Sequence, residues 1–301
     1  MPELPRLPPI ASQPLSAVLI ARNSANHLEA VLGDWITFLN GLDREYELIL
    51  VDDGSTDGGG DLAEKLATNF RRVRVLRHTT ARGEGAALRT ALTVAQHPLL
   101  FYTLCDPHYQ PADLGKLLRK RSDPNKPDLE LDQVHILSAS RGGRPTPGPW
   151  RVLGLLWRIF CRVLFTQAPD RLAGWLGWKR HLARTLVRLL FGVRYHDVAC
   201  PFRLHRRAIF SRIPVQSDGS FVHVEILAKA NALGLMMGEE VPLEPGHYPP
   251  LKDTLAREEF RQLLADARRV IRHPDFGPPR LDAPSSEAST GGASASASGG
   301  R

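Results

Sequence analysis

Two acidic turns carry most of the chemistry that can be read along this chain. The first, Asp52-Asp53-Gly54-Ser55-Thr56-Asp57, sets three carboxylates and two hydroxyls around a glycine. A carboxylate there is able to accept hydrogen bonds from a nucleoside base or from ribose hydroxyls, and Gly54 allows a tight turn. The same residues also suit a simple helix cap, with Ser55 or Asp57 capping. The second, Asp106-Pro107-His108-Tyr109-Gln110, puts Asp, His and Gln at alternate positions, so that in an extended loop all three project the same way. Each is able to ligate a divalent cation that bridges to a diphosphate, although an Asp-Pro pair also makes a plain polar turn. Arg82-Gly83-Glu84-Gly85 opens a predicted helix whose amides would meet phosphate. Arg141, Arg203, Arg206 and Arg207 are phosphate-clamp candidates, each with the alternative of an ordinary surface arginine.

The elements that must position these residues follow from hydrophobic patterning. The short apolar run over residues 15–21 reads as a buried strand, and 46–51, 73–77, 99–104 and 134–137 read as further strands. Between them, helices are expected from about residue 28 (apolar positions Leu28, Val31, Leu32 and Trp35, with Ser24 as cap), over 57–70, over 83–96 and over 111–121. Strand and helix alternate, which implies parallel strands joined by right-handed crossovers, and ligands in such sheets bind beyond the carboxyl ends of the strands. Residues 22–25, 52–55 and 106–110 should therefore converge. Farther on, 196–207 reads as loop and strand, 221–233 as helix, 235–242 as strand and 251–272 as a charged helix.

Composition sets the partners. The 301 residues carry a formal charge of +7, which points to anionic partners such as nucleotide, lipid phosphate or an anionic membrane. Residues 150–194 hold four of the five tryptophans, and nine basic residues against the single acid Asp170. Tryptophan and leucine interleaved with one sign of charge suit a helix pair lying in a lipid headgroup layer, with an amphipathic cover on the sheet as the alternative. No recognised nucleic-acid reader accompanies the charge, so nucleic acid is not an expected partner. The three cysteines match neither a zinc spacing nor a disulfide framework, which fits a reducing cytosol. No run reaches the length of a spanning helix. The expected location is cytoplasmic, peripheral on the inner face of the membrane.

The order of the motifs resembles family 2 glycosyltransferases over roughly residues 16–242. It comprises the 52–57 turn, Arg82-Gly83-Glu84-Gly85-Ala86-Ala87, residues 101–110, Ser140-Arg141, His196-Asp197-Val198-Ala199-Cys200-Pro201-Phe202-Arg203, residues 221–227 and Glu240-Val241-Pro242. Within that family the chain looks similar to the dolichol- and polyprenyl-phosphate mannose or glucose synthases. The resemblance implies a GT-A fold: a Rossmann-like, mostly parallel α/β sheet with helices on both faces, plus the amphipathic insertion. It also implies a donor of the GDP-mannose or UDP-glucose type, a polyprenyl phosphate acceptor, and a divalent cation, Mn2+ or Mg2+. The nucleotide would meet Ala21, Arg22, Asn23, Asp52, Asp53, Arg82, Gly83 and Asp106. Asp106, His108 and Gln110 would match the metal motif, Arg141, Arg203 and Arg206 the phosphate contacts, and Asp106, Asp197 and Glu225 the catalytic acids.

The chain then divides into a flexible tail (1–14), a nucleotide-sugar half (15–145), the insertion (146–194), an acceptor half (195–250), a C-terminal helix (251–273) and a disordered tail (274–301). It departs from the family pattern at Ser24, where an acid usually follows Asn23, at His108 in place of a second Asp, and at Pro201 in place of glycine. Replacing that Asp removes a negative charge and favours manganese over magnesium. Two other functions fit the same motifs: transfer to a glycan or lipid hydroxyl with Asp197 or Glu225 as base, and a degenerate homologue that binds nucleotide or lipid without catalysis.

Overall fold

A computed structural model describes residues 10–118, 134–140, 191–193, 195, 197–242 and 257–277. Strand β1 (Leu15–Ala21) is buried at every position. Leu15, Ala17 and Leu19 enter one core, and Val18 and Ile20 the other, as the two-residue period requires of a strand covered on both faces. β2 (Tyr46–Asp52) and β4 (Leu99–Leu104) flank β1 in parallel, and β3 (Val73–Arg77) lies outside β2. With β5 (Ile136–Ser140), β6 (Arg203–Arg206) and β7 (Met237–Pro242) the seven-stranded order is β3-β2-β1-β4-β6-β5-β7. β6 alone runs antiparallel to its neighbours β4 and β5, while β7 is parallel to β5. The carboxyl ends of β1, β2, β4 and β5 thus share one edge of the sheet. β6 begins toward that edge at Arg203 and leads away from it.

Helices cover both faces. α1 (Leu28–Asn40), α2 (Gly59–Ala67) and α4 (Pro111–Leu118) pack on one core, α3 (Glu84–Val94) and α5 (Val222–Ala232) on the other. Trp35 anchors the first core, its ring 5.3 Å from Phe101 and 6.3 Å from Phe202. α6 (Arg257–Arg272) packs through Asp266 and Val270, and Asp266 Oδ2 accepts the amides of Asp218 and Gly219.

Several expectations are corrected here. Ser24 does not cap α1 with its side chain, which donates to Arg22 O; its carbonyl accepts the amides of His27 and Leu28 instead. α2 begins at Gly59, because Gly58 adopts φ +81 and interrupts the turn before it. The fifth strand runs Ile136–Ser140 rather than 134–137, since its ladder to β6 starts at the Ile136–His205 pair. The N-terminal tail expected over 1–14 is structured from residue 10, where Arg44 Nη1 donates to Ile10 O and Gln13 O. At the other end, Asp275 N and Gly277 N donate to Gln216 Oε1 and Arg212 O. The predicted insertion over 146–194, apart from residues 191–193, together with Arg141 and the tail beyond 277, lies outside the described residues. Among the described residues no helix is long and apolar enough to cross a membrane.

Candidate functional site

The three predicted loops do meet at the carboxyl edge of the sheet, beyond neighbouring strands β2, β1 and β4. The first two are laced together. Asn23, at φ +51, places its Oδ1 against Thr56 N at 2.9 Å and accepts the Thr56 hydroxyl as well, while Asn23 N donates to Ser55 Oγ at 2.9 Å. Asp57 receives Ala25 N at 2.8 Å and Gly59 N at 2.9 Å. Those amides, Ala25 first, hold the Asp57 carboxyl below its ordinary range. Asp52 is buried, and its Oδ1 accepts Ser55 N and the Ser55 hydroxyl.

Asp53 is equally buried, and its oxygens are consumed. Oδ1 meets His78 Nδ1 at 2.7 Å and Arg82 N at 2.8 Å, and Oδ2 accepts Gly83 N at 2.8 Å. His78 is itself held through Nε2 by the Thr90 hydroxyl at 2.9 Å. Asp53 therefore braces the loop that presents the exposed Arg82. A Cβ on Gly54 (φ +66) would strike the backbone of Thr80 and Ala81, so only glycine lets this turn press against that loop. The amides of the Arg82–Gly85 segment are not a phosphate cradle, which corrects the expectation. Arg82 N and Gly83 N serve Asp53, and Gly85 N and Ala86 N both point at Asp218 O, at 2.8 and 3.1 Å.

The Asp106 turn differs. Cys105 N pairs with Ile20 O, and His27 Nε2 lies 3.0 Å from Cys105 O, so the end of β4 is fixed to β1 and to the start of α1. Burial, with Asp106 adding to it, pushes the Cys105 thiol up to about 12, so the thiol stays protonated beside the site. Asp106 Oδ1 accepts His108 N at 2.8 Å and also meets His108 Nδ1. Asp106 Oδ2 and His108 Nε2 have no partner among the described residues, and the two side chains are 34% and 43% exposed. Gln110 donates from Nε2 to Pro107 O at 2.6 Å, which leaves its amide oxygen outward. A carboxylate oxygen, an imidazole nitrogen and an amide oxygen on one exposed turn are donor types that suit a divalent cation, manganese better than magnesium, although His108 presents Nδ1 to Asp106, so its open Nε2 points away from the carboxylate.

The remaining predicted residues lie elsewhere. Glu225 is fully buried; it accepts Gln216 N and Ser217 N, each at 2.8 Å, and pairs with Lys229 Nζ at 2.7 Å. Arg203 is buried too, donating from Nη1 to His223 O and from Nη2 to Val198 O, both at 2.5 Å. Arg206 pairs across from Leu99, at the far end of β4 from Asp106, and its Nε donates to Val134 O. The reversed direction of β6 puts it there, so Arg206 is not part of this edge. Arg207, bonded to Pro98 O and His97 O, is likewise remote. Asp197 lies half-buried before Cys200, whose amide approaches Asp197 O at 3.4 Å.

Sequence reasoning missed a buried polar string joining the two halves: Glu84, His223 and Tyr102. The available signal was a tyrosine in the largely apolar run of β4 and a histidine between two valines at the start of the predicted helix over 221–233.

The profile of the family described as Glycosyl transferase family 2 matches residues 16–213. Polyprenol monophosphomannose synthase from Mycolicibacterium smegmatis is 27% identical over 206 residues, covering 66% of this chain and 66% of that protein. Dolichyl-phosphate beta-glucosyltransferase from Saccharomyces cerevisiae is 24% identical over 258 residues, covering 82% and 71%. The chain thus spans about two thirds of the length of the curated relatives it matches. Among solved structures, glucosyl-3-phosphoglycerate synthase from Mycobacterium tuberculosis, in complex with Mn2+, uridine-diphosphate-glucose and phosphoglyceric acid, superposes with a TM-score of 0.57 at 22% identity. That likeness covers 88% of this chain and 82% of the other. It shows the fold, which is GT-A.

Proposed function

The chain belongs to glycosyl transferase family 2, and from that premise we propose that it moves a sugar from a nucleoside diphosphate to a polyprenyl phosphate at a membrane surface. The donor is of the GDP-mannose or UDP-glucose type and the transfer a single inverting displacement. The acceptor class is supported by the names of the two relatives, a polyprenol monophosphomannose synthase and a dolichyl-phosphate beta-glucosyltransferase. The one observation that carries the reading is the Asp106 turn. It stands at the edge beyond the central strands, with one carboxylate oxygen fixed by its own loop and the other without a partner among the described residues.

A divalent cation on Asp106, with His108 and Gln110 as further ligands, would neutralise charge on the departing diphosphate. Mn2+ bound to the M. tuberculosis enzyme is in keeping with this. The other residues position. Asn23 and Asp57 knit the first two loops into one wall, Asp52 fixes Ser55 within it, and Asp53 holds the backbone of Arg82 beside it. A phosphate monoester has its second pKa near about 6, so it is largely ionised at neutral pH and attacks without a strong base. That suits a site in which Glu225 is sealed off by Lys229 and two amides. A hydroxyl acceptor would need a proton acceptor, and of the two acids considered only Asp197 reaches the surface. Residues 150–194 would hold the lipid end from the cytoplasmic side.

The test is transfer by the full chain, with Mn2+ and either GDP-mannose or UDP-glucose, onto polyprenyl phosphate in lipid vesicles. A lipid-extractable sugar phosphate is the expected product. Transfer to sugar or lipid hydroxyls but not to polyprenyl phosphate would overturn the acceptor, and no transfer from either donor would overturn the whole reading.

A further inference from the structure

The edge described above uses Glu84 only as the first residue of a helix, yet its side chain ends the string of buried polar groups that no role so far explains. Glu84 Oε2 lies 2.6 Å from His223 Nε2, and His223 Nδ1 lies 2.9 Å from the hydroxyl of Tyr102, with the two rings stacked 5.7 Å apart. Tyr102 and His223 are buried, and Arg203 lies against the phenol oxygen from the other side. The direction of the hydrogen bonds follows from these neighbours. Burial pushes the phenol up to about 12, so Tyr102 keeps its proton and donates to Nδ1. His223 then carries its proton on Nε2 and donates to the carboxylate. The imidazole tautomer and the orientation of Glu84 are both set by this chain of contacts.

Two features separate this string from a mere buried tie. A tie between helices is fully covered, whereas the Glu84 side chain is 30% exposed. It also uses all its acceptors, whereas Glu84 Oε1 takes no partner among the described residues. Glu84 directly follows Gly83, whose amide Asp53 holds at the carboxyl edge of the sheet and whose backbone packs against Asp218 and Gly219. A part-exposed carboxylate with one oxygen bonded and the other without a partner among the described residues is a hydrogen-bond acceptor for hydroxyl groups. Phosphate is excluded, since like charges repel.

We infer that Glu84 binds a hydroxyl of the donor's sugar through Oε1, and that His223 and Tyr102 are positioning residues that aim it. The inference rests on the donor reading above. It is tested by titration calorimetry of the full chain with UDP-glucose and GDP-mannose, and separately with UDP and GDP, all with Mn2+. Glu84→Gln keeps the bond to His223 and puts an amide NH2 where Oε1 stood. It should weaken the preferred nucleotide sugar about tenfold, or ~1.4 kcal/mol, and leave the matching nucleoside diphosphate unchanged. Glu84→Asp, which keeps the charge on a shorter arm, should recover part of the loss. Tyr102→Phe should show the same split at a few-fold. Equal losses for sugar and diphosphate would mean a purely structural tie and overturn the inference, as would a Glu84→Gln chain with unchanged affinity for both. If the wild type binds UDP or GDP but gains nothing from the sugar, Glu84 has no sugar to hold and the inference fails alone. A wild type that binds none of the four would remove the donor reading and this inference together.

Discussion

The two acidic turns follow parallel strands two positions apart in the sheet, and they have opposite fates. In the 52–57 turn nearly every acceptor is spent on the protein: Asp52 on Ser55, Asp53 on His78, Arg82 and Gly83, Asp57 on Ala25 and Gly59. In the 106–110 turn Asp106 is fastened by one oxygen and open at the other. A carboxylate at a strand end is thus not a site by position. Counting its hydrogen bonds separates the brace from the group that has capacity left for a ligand.

Changing Asp53 should sharpen the contrast most. Asp53→Asn turns an NH2 toward donors that now meet oxygen, and should cost about 2–3 kcal/mol of stability. Urea denaturation measures this, and a loss under 0.5 kcal/mol, within about the noise of a surface change, would show that the brace is not one. Next in size is His108→Asp, which restores a carboxylate to the open turn. Affinity for Mg2+ should rise about tenfold relative to Mn2+, because a hard oxygen replaces an imidazole. Metal-dependent turnover compares the two ions, and an unchanged ratio would remove His108 from the ligand set. The smallest effect belongs to Asp57. Its folded pKa lies below the unfolded one, near about 3.9, so the stability it lends is present above that value and is lost as pH falls through the depressed folded value. Asp57→Asn should be less stable than the wild type at neutral pH and indistinguishable from it in strong acid. A gap that stays constant across that range would contradict the Ala25 and Gly59 contacts.

How much of this was legible depends on where the partners lie in the chain. β1 and β4 keep the limits that their apolar runs suggest, because strands buried on both faces leave a near-continuous hydrophobic signature; β3 keeps its expected limits too, although it is an edge strand with two arginines and no fully buried position. β6 has none. Arg203-Leu204-His205-Arg206 falls in the stretch read as loop and strand, but its polar side chains hide that all four residues are buried, and nothing in them announces that the strand is reversed. That reversal carried Arg206 away from the edge where its motif position had put it. The convergence of the three loops was legible from topology alone. The division of labour within them was not, since Asp53 finds its donors 25 to 30 residues later and Glu84 meets His223 across 139 residues. Glu225 is the instructive case between these. Its i,i+4 spacing to Lys229 was visible, but its complete burial, which turns a candidate base into a brace for residues 216 and 217, was not.

The claim that the Asp106 turn is the open site and the Asp53 turn the brace is tested most directly by electron paramagnetic resonance of Mn2+ binding in the presence of UDP or GDP. The wild type should bind one Mn2+. Asp106→Asn should weaken it at least tenfold, on the order expected for loss of a charged ligand, with its melting temperature unchanged. The folded fraction of Asp53→Asn should still bind Mn2+ as the wild type does. An Asp106→Asn chain that holds Mn2+ as tightly as the wild type, or an Asp53→Asn chain that is stable but cannot hold it, would reverse the assignment.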